Sequence, residues 1–164
     1  MILNWGATAG ERNATLPCDT VAPATALSAD RAVSIHAPPP IVFAWLCQLR
    51  VAPYSYDLVD NFGRRSPRTR SPELTRLRPG QRFMQIFTLH SFAEDEHVTL
   101  QSGQVAVTYA VQPETGGARL HARVRFGGPR IIGWAMAMGD VAMMRKQLLT
   151  LRELAEREAS GITS

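Results

Sequence analysis

Cysteine occurs only twice in the 164 residues, at Cys18 and Cys47, with no spacing that suits a metal, so no disulfide framework or cysteine-built metal site is indicated. Both are expected to be reduced and to pack as small hydrophobes. The four histidines, His36, His90, His97 and His121, are scattered, and none pairs with another at i, i+4 on a helix; no metal is expected. A Gly-rich phosphate loop, a serine nucleophile elbow and a Cys–His pairing are all missing, which leaves covalent catalysis little support and predicts no cofactor. Apolar residues make up 45% and charged residues 20%, too hydrophobic for a disordered chain, yet no apolar run is long enough to span a bilayer. The start, Met1 to Gly6, has neither the basic nor the continuous apolar region of an export signal, so a cytoplasmic protein is expected. The length suits one domain without room for a second core.

Lysine is almost missing as well: Lys146 is the one lysine among 18 basic residues, and the net charge is +4. Much of the positive charge lies in Arg64, Arg65, Arg68, Arg70, Arg76, Arg78 and Arg82, punctuated by Pro67, Pro72 and Pro79. Such spacing implies a solvated loop, unlike a helix that reads a nucleic-acid groove, so no nucleic-acid partner is expected. Docking of an anionic partner on residues 64–82 stays open.

Periodicity is what the chain does have. Residues 1–29, rich in Ala, Thr, Pro and Gly, predict an irregular arm, and Trp5 is expected to pack back on a domain spanning 30–160. Arg31 to His36 alternates as a short strand does. Pro38, Pro39 and Pro40 suit the first turn of a helix starting near residue 39. Its Val42, Trp45, Leu46 and Leu49 fall at i, i+3, i+4, i+7, and Pro53 stops it. Residues 54–63 allow at most one short helix, ended by Gly63. Four β-like runs follow, at 81–92, 97–102, 104–112 and 118–127, with glycine at the turns after Ser102 and Glu114. A long helix from Ile131 to about Glu158 carries Val141, Met144, Leu148, Leu151 and Ala155 on one stripe. This order predicts an α+β fold in which a curved antiparallel sheet is covered by the last helix.

Polar chemistry concentrates between Tyr54 and Arg64. If that segment is helical, Asp57, Asn61 and Arg64 share one face; equally, Asp57 can cap a turn while Arg64 pairs with Asp60. In the last strand His121, Arg123 and Arg125 alternate with Leu120, Ala122, Val124 and Phe126. With the apolar set turned to the core, the arginines are expected in solvent. Tyr109 shares a face with Val105, Val107 and Val111 and puts one hydroxyl on an apolar wall. The first half of the last helix is rich in Met, which suits a surface adapting to a ligand and equally suits core filling.

Local strings add a resemblance. Asn4-Trp5-Gly6-Ala7-Thr8, Leu16-Pro17-Cys18-Asp19, Trp45-Leu46 with Gln48, Tyr54-Ser55-Tyr56-Asp57 with Asp60-Asn61, Gly117 with Arg119-Leu120, and Met143-Met144-Arg145-Lys146 resemble a bacterial subgroup of the START-like, or SRPBCC, superfamily, the polyketide cyclase-like proteins with a helix-grip fold. The resemblance covers nearly the whole chain; Cys18 departs from it, standing where glycine is the pattern. It implies an internal cavity between the sheet and the long C-terminal helix that the sheet wraps. The residues expected to line it are Trp45, Tyr54, Met84, Phe87 and Tyr109, with Trp134, Met138, Val141 and Met144 from the helix. Two functions follow as expectations. One is a cofactor-independent cyclase or dehydratase, in which Asp57 takes a proton alpha to a carbonyl, Tyr56 hydrogen-bonds the enolate and Arg64 anchors a carboxylate or phosphate. The other is a non-catalytic carrier or sensor of a lipid or other apolar metabolite. The fold does not choose between them, and either is compatible with a homodimer.

Overall fold

Among the described residues, six antiparallel strands form one curved sheet in the order β1-β6-β5-β4-β3-β2. They are β1 (Leu27–Ile35), β2 (Arg82–Phe83), β3 (Phe87–Ala93), β4 (His97–Ser102), β5 (Val105–Glu114) and β6 (Gly117–Phe126). The computed structural model describes residues 4–22, 26–51, 70–84 and 86–161, with the side chains of 130–142 excepted. Strands β2 to β6 run as a meander, and β1 closes the order by pairing with β6 from Leu27↔Phe126 to Ile35↔Ala118. Gly103 (φ +58°) and Gly116 (φ +84°) turn the β4–β5 and β5–β6 hairpins, where the left-handed region favours a residue without a Cβ.

Two strand boundaries differ from expectation. β1 begins at Leu27, four residues before the alternation starting at Arg31, because Leu27 to Asp30 continue in register with Phe126 to Arg123. The run 81–92 is broken into β2 and β3 because Met84 adopts φ +48°, and its amide donates to Leu49 O at 2.7 Å instead of to a strand.

Helix α3 (Pro39–Cys47) starts on its prolines as expected and continues into a 3-10 turn, Gln48–Arg50. Every residue from Val42 to Leu49 is buried, so the helix is enclosed on all sides and exceeds a single stripe. The long helix that ends the fold, here α4 (Arg130–Ala159), lies chiefly over β1 and β6 and packs on α3. Its buried face runs through Met144, Gln147, Leu148, Leu151, Leu154 and Ala155. Among the described residues no helix is long and apolar enough to cross a membrane.

The other face of the sheet is covered too. Residues 9–13 and 18–21 form two short helices, α1 (Ala9–Asn13) and α2 (Cys18–Val21), in the stretch expected to be irregular. Thr8 and Glu11 close a capping box at α1, with Glu11 N to Thr8 Oγ1 at 3.1 Å and Thr8 N to Glu11 Oε2 at 2.8 Å. Before them, Trp5 bridges the outer edge of β1: Trp5 N donates to Asp30 O and Ala32 N to Trp5 O, both at 2.9 Å. Gly6 (φ +71°) then passes so close to Ala32 O that a Cβ there would overlap it. The Trp5 ring packs against the core, and the Arg145 guanidinium of α4 stands 5.4 Å from its centroid.

This layer corrects the expectation that the arginines of β6 lie in solvent. Arg123 is 3% exposed and His121 7%. Arg123 Nε and His121 Nε2 both meet Asp30 Oδ1, at 2.8 and 2.7 Å. Arg123 also donates to the carbonyls of Glu11, Arg12 and Ala14 at the end of α1 and to Asp19 Oδ2, so one guanidinium ties the N-terminal helices to the sheet. Arg119 holds Glu11 at 2.7 Å, and Arg125 holds Asp19 at 2.8 Å. Cys18 and Cys47 are free and buried. Burial raises both thiol pKa values, that of Cys47 to about 12, as expected of packing residues.

Candidate functional site

The side of the sheet that faces α4 is built from alternate residues of each strand. One row crosses it from edge to edge as Arg31, Ala122, Tyr109, Val98 and Phe92. The next runs Ala29, Val124, Val107, Leu100 and Leu89. Leu89, Val98 and Leu100 are buried, whereas Met84, Phe87 and Phe92, at the β2–β3 end, are only half-buried. Among the described residues α4 lies chiefly over β1 and β6, and α3 over β5 and β6, which leaves this end at the margin of the sheet–helix interior.

Two polar groups meet inside it. The Tyr109 hydroxyl donates to Gln147 Oε1 at 2.6 Å, and Gln147 Nε2 lies 3.3 Å from Met84 Sδ. Tyr109 comes from the middle of β5, Gln147 from the buried stripe of α4, and Met84 from the left-handed residue that ends β2. Tyr109 and Gln147 are 1% and 5% exposed. Arg31, 1% exposed, brings a permanent charge to the same face two strands from Tyr109, with only Ala122 between them in the row.

Of the residues expected to line a cavity, Trp45, Tyr109 and Met144 sit in the main core, and Met84 and Phe87 pack against it half-buried. Tyr54, Tyr56, Asp57 and Arg64 lie outside the described residues, as do the side chains of Trp134, Met138 and Val141. Gln147 was missed, although its place three residues after Met144 marks a polar residue on an apolar stripe. Among the described residues no group of three His, Cys, Asp or Glu could hold a metal ion. In the basic stretch, Arg70 grips Glu158 of α4 through two bonds of 2.9 and 3.1 Å. An open groove on the outer side of α4, between His36 and Arg152, Glu153 and Glu156, has charged walls and lies away from this interior.

No protein-family model and no curated protein matches the chain. Solved structures do. A Nitrosomonas europaea protein superposes with a TM-score of 0.54 at 15% identity, over 82% of this chain and 97% of its own. The protein KanY gives 0.54 at 16% identity, over 80% and 98%. A protein from Corynebacterium glutamicum described as polyketide cyclase-like gives 0.50 at 13% identity, over 82% and 94%. The chain shares the fold of these proteins, one of which is described as polyketide cyclase-like. At these identities the likeness carries the fold alone, and a shared fold leaves the place for chemistry to the chain's own side chains. Here those are the phenol and amide of the interior and the half-buried rim of Met84, Phe87 and Phe92.

Proposed function

We propose that this chain binds a small apolar molecule in the START-like interior, entering at the rim formed by Met84, Phe87 and Phe92, and serves as its carrier or sensor. The observation that carries this reading is the composition of the wall among the described residues: mainly aliphatic and aromatic side chains, with one phenol–amide pair, Tyr109 and Gln147, and the buried guanidinium of Arg31 in the row of Tyr109. Ligand sites for apolar molecules are built in this way, with apolar area supplying affinity and a few placed polar groups fixing orientation. Folds of this type commonly bind hydrophobic ligands, which supports the same reading.

A second reading, a cofactor-independent cyclase or dehydratase acting on a polyketide-like chain, draws on the likeness to the polyketide cyclase-like Corynebacterium protein. It assigns proton transfer to Asp57, enolate hydrogen bonding to Tyr56 and anchoring to Arg64. Holding reacting atoms together supplies much of such a rate enhancement without a strong catalytic group. Native mass spectrometry of the purified protein tests the shared claim: a co-purifying lipid or polyketide-like molecule is expected, and a bare protein that also takes up no apolar compound rejects it. Asp57→Asn separates the two readings, since binding survives under both and turnover is abolished only under the second.

A further inference from the structure

We infer that the corner of the molecule around the β2–β3 turn docks on an anionic lipid surface, with Ile86 and Val51 entering the headgroup region while Arg76, Arg78 and Arg82 meet its phosphates. This goes beyond the ligand-binding reading above and does not depend on what the interior holds.

Among the described residues two large hydrophobic side chains are exposed, Val51 at 47% and Ile86 at 70%. They are far apart in the chain, yet the fold brings them to one place. The Met84 amide bonds Leu49 O at 2.7 Å, Val51 N closes its 3-10 turn on Gln48 O at 3.0 Å, and Ile86 N bonds Met84 O at 2.8 Å. The end of the 3-10 turn after α3 and the β2–β3 turn therefore stand side by side. Single apolar residues scattered over a surface are ordinary, but here the exposed ones converge.

The same corner is basic. Between Glu73 and Glu94 the chain has no acid and carries Arg76, Arg78 and Arg82, part of the stretch whose partner the sequence leaves open. All three are exposed, and none meets a carboxylate among the described residues, whereas Arg70, Arg119, Arg123 and Arg125 each do. Arg82 lies opposite Thr88 in the β2–β3 ladder. Gln81 folds the turn before it, accepting from Arg78 N at 2.9 Å and donating to Arg76 O at 3.1 Å. Glu73, exposed in the 3-10 turn Pro72–Thr75, offsets part of this charge. Glu94, Asp95, Glu96 and Glu114 sit at the turns of the opposite end of the sheet. A lipid surface suits this combination better than other anionic partners. Aliphatic side chains gain nothing from a nucleic-acid backbone, and protein interfaces are anchored by residues seated in desolvated pockets. A bilayer interface takes apolar side chains without a matching pocket, and each basic residue near an anionic leaflet adds attraction. Docking there also brings the half-buried Met84 and Phe87 to the lipid, where a carrier of an apolar molecule would collect it.

The test is co-sedimentation of the full chain with vesicles of phosphatidylcholine alone, or of phosphatidylcholine mixed equally with phosphatidylglycerol. Binding to the anionic vesicles is expected to be about a hundredfold tighter and to be lost at high ionic strength. Arg82→Gln is expected to weaken it about fivefold. Ile86→Asn is expected to weaken it about tenfold while the preference for anionic lipid is kept. Both residues are exposed, so the melting temperature in solution is expected to be unchanged, which separates a lost contact from a lost fold. Equal affinity for the two kinds of vesicle, or binding that Ile86→Asn leaves unaltered, overturns the inference. Soluble polyglutamate bound as tightly as the anionic vesicles also overturns it, and assigns the corner to an acidic protein.

Discussion

The two faces of one sheet, a single residue apart along every strand, are held by different physics. On the face toward α1 and α2, a row runs Asp30, Arg123, Thr108, Thr99 and Ser91; shifted by one residue, the row toward α4 runs Arg31, Ala122, Tyr109, Val98 and Phe92. The first is closed by bonds of fixed direction, charge-assisted where Asp30 is shared by Arg123 and His121 and Asp19 by Arg123 and Arg125, and neutral where Thr108 bonds both Thr99 and the amide of Cys18. The second is mostly apolar contact, which has no direction and tolerates rearrangement. A polar network of that kind specifies one arrangement of the N-terminal helices, whereas apolar contact fixes no direction.

The sharpest way to break this comparison is to remove the cation both N-terminal helices depend on. Arg123→Met leaves Asp30 buried with only His121 and strips the carbonyls of α1 of their donor. Breaking a buried pair from one side costs about 3 to 5 kcal/mol. Chemical denaturation should show a loss of that size, together with faster amide exchange over residues 9–21. A loss under about 1 kcal/mol would mean that the arm holds by other contacts. On the opposite face, Leu148→Ala, at a position 0% exposed, removes packing without touching a charge. It should cost about 2 to 4 kcal/mol, depending on how far the cavity collapses, and leave exchange in α1 and α2 unchanged relative to the sheet. Selective loosening of the arm by Leu148→Ala would show that the two faces are coupled.

The contrast between the faces also separates what the sequence makes legible from what it hides. The meander, α3 and α4 follow from periodicity and punctuation, since Pro39 fixes its own φ and Gly103 and Gly116 admit the left-handed turn conformation without any distant contact. The burial of Arg123 does not follow in that way. Its covering layer comes from helices of five and four residues, too short to carry a 3.6-residue period. Thr8 and Glu11 do have capping-box spacing, the one local sign that a helix starts there. Once α1 and α2 are on the sheet, Glu11, Asp19 and Asp30 neutralise Arg119, Arg123 and Arg125, a match that requires the fold to be known first. On the α4 side, the stripe was legible as apolar positions, and reading it so concealed Gln147. Met84 was concealed differently: nothing about methionine announces a left-handed backbone, which here goes with a distant bond from its amide to Leu49 O and a local one from the Ile86 amide to its carbonyl. The cyclase residues Tyr56, Asp57 and Arg64 rest on sequence alone.

Acid should distinguish the faces next, with a smaller effect than either substitution. The hydrogen bond from Arg119, helped by Thr8 N–H against opposing burial, holds the Glu11 carboxyl below its ordinary value of 4.5. For Asp19 burial acts upward, but the Leu16 amide with Arg125 and Arg123 outweighs it and leaves the pKa below 3.8. A carboxyl whose folded pKa is depressed contributes its full stability above the unfolded value and loses it as pH falls through the folded one. These two groups therefore add nothing to pH dependence near neutrality and begin to destabilise the arm below about pH 4.5. The melting temperature of the unaltered chain should fall more steeply there than that of Glu11→Gln, which is less stable near neutral pH and has one fewer group to titrate. Superimposable profiles would show that the Glu11–Arg119 pair is not part of the closure.

The smallest effect belongs where the two sides meet, at Trp5. Its main chain edges β1 and its ring lies under Arg145, an exposed residue of α4, at 5.4 Å. A cation over an indole at an exposed site is worth about 0.5 to 1 kcal/mol, so Arg145→Gln should cost about that much and no more. The substitution leaves the backbone bridge from Trp5 to Asp30 and Ala32 in place. It should therefore shift the denaturation midpoint slightly without changing the exchange rates of the Trp5 and Ala32 amides. If those amides exchange faster in Arg145→Gln, the ring contact orders the bridge, and α4, through its outer surface, helps to position the layer on the far side of the sheet.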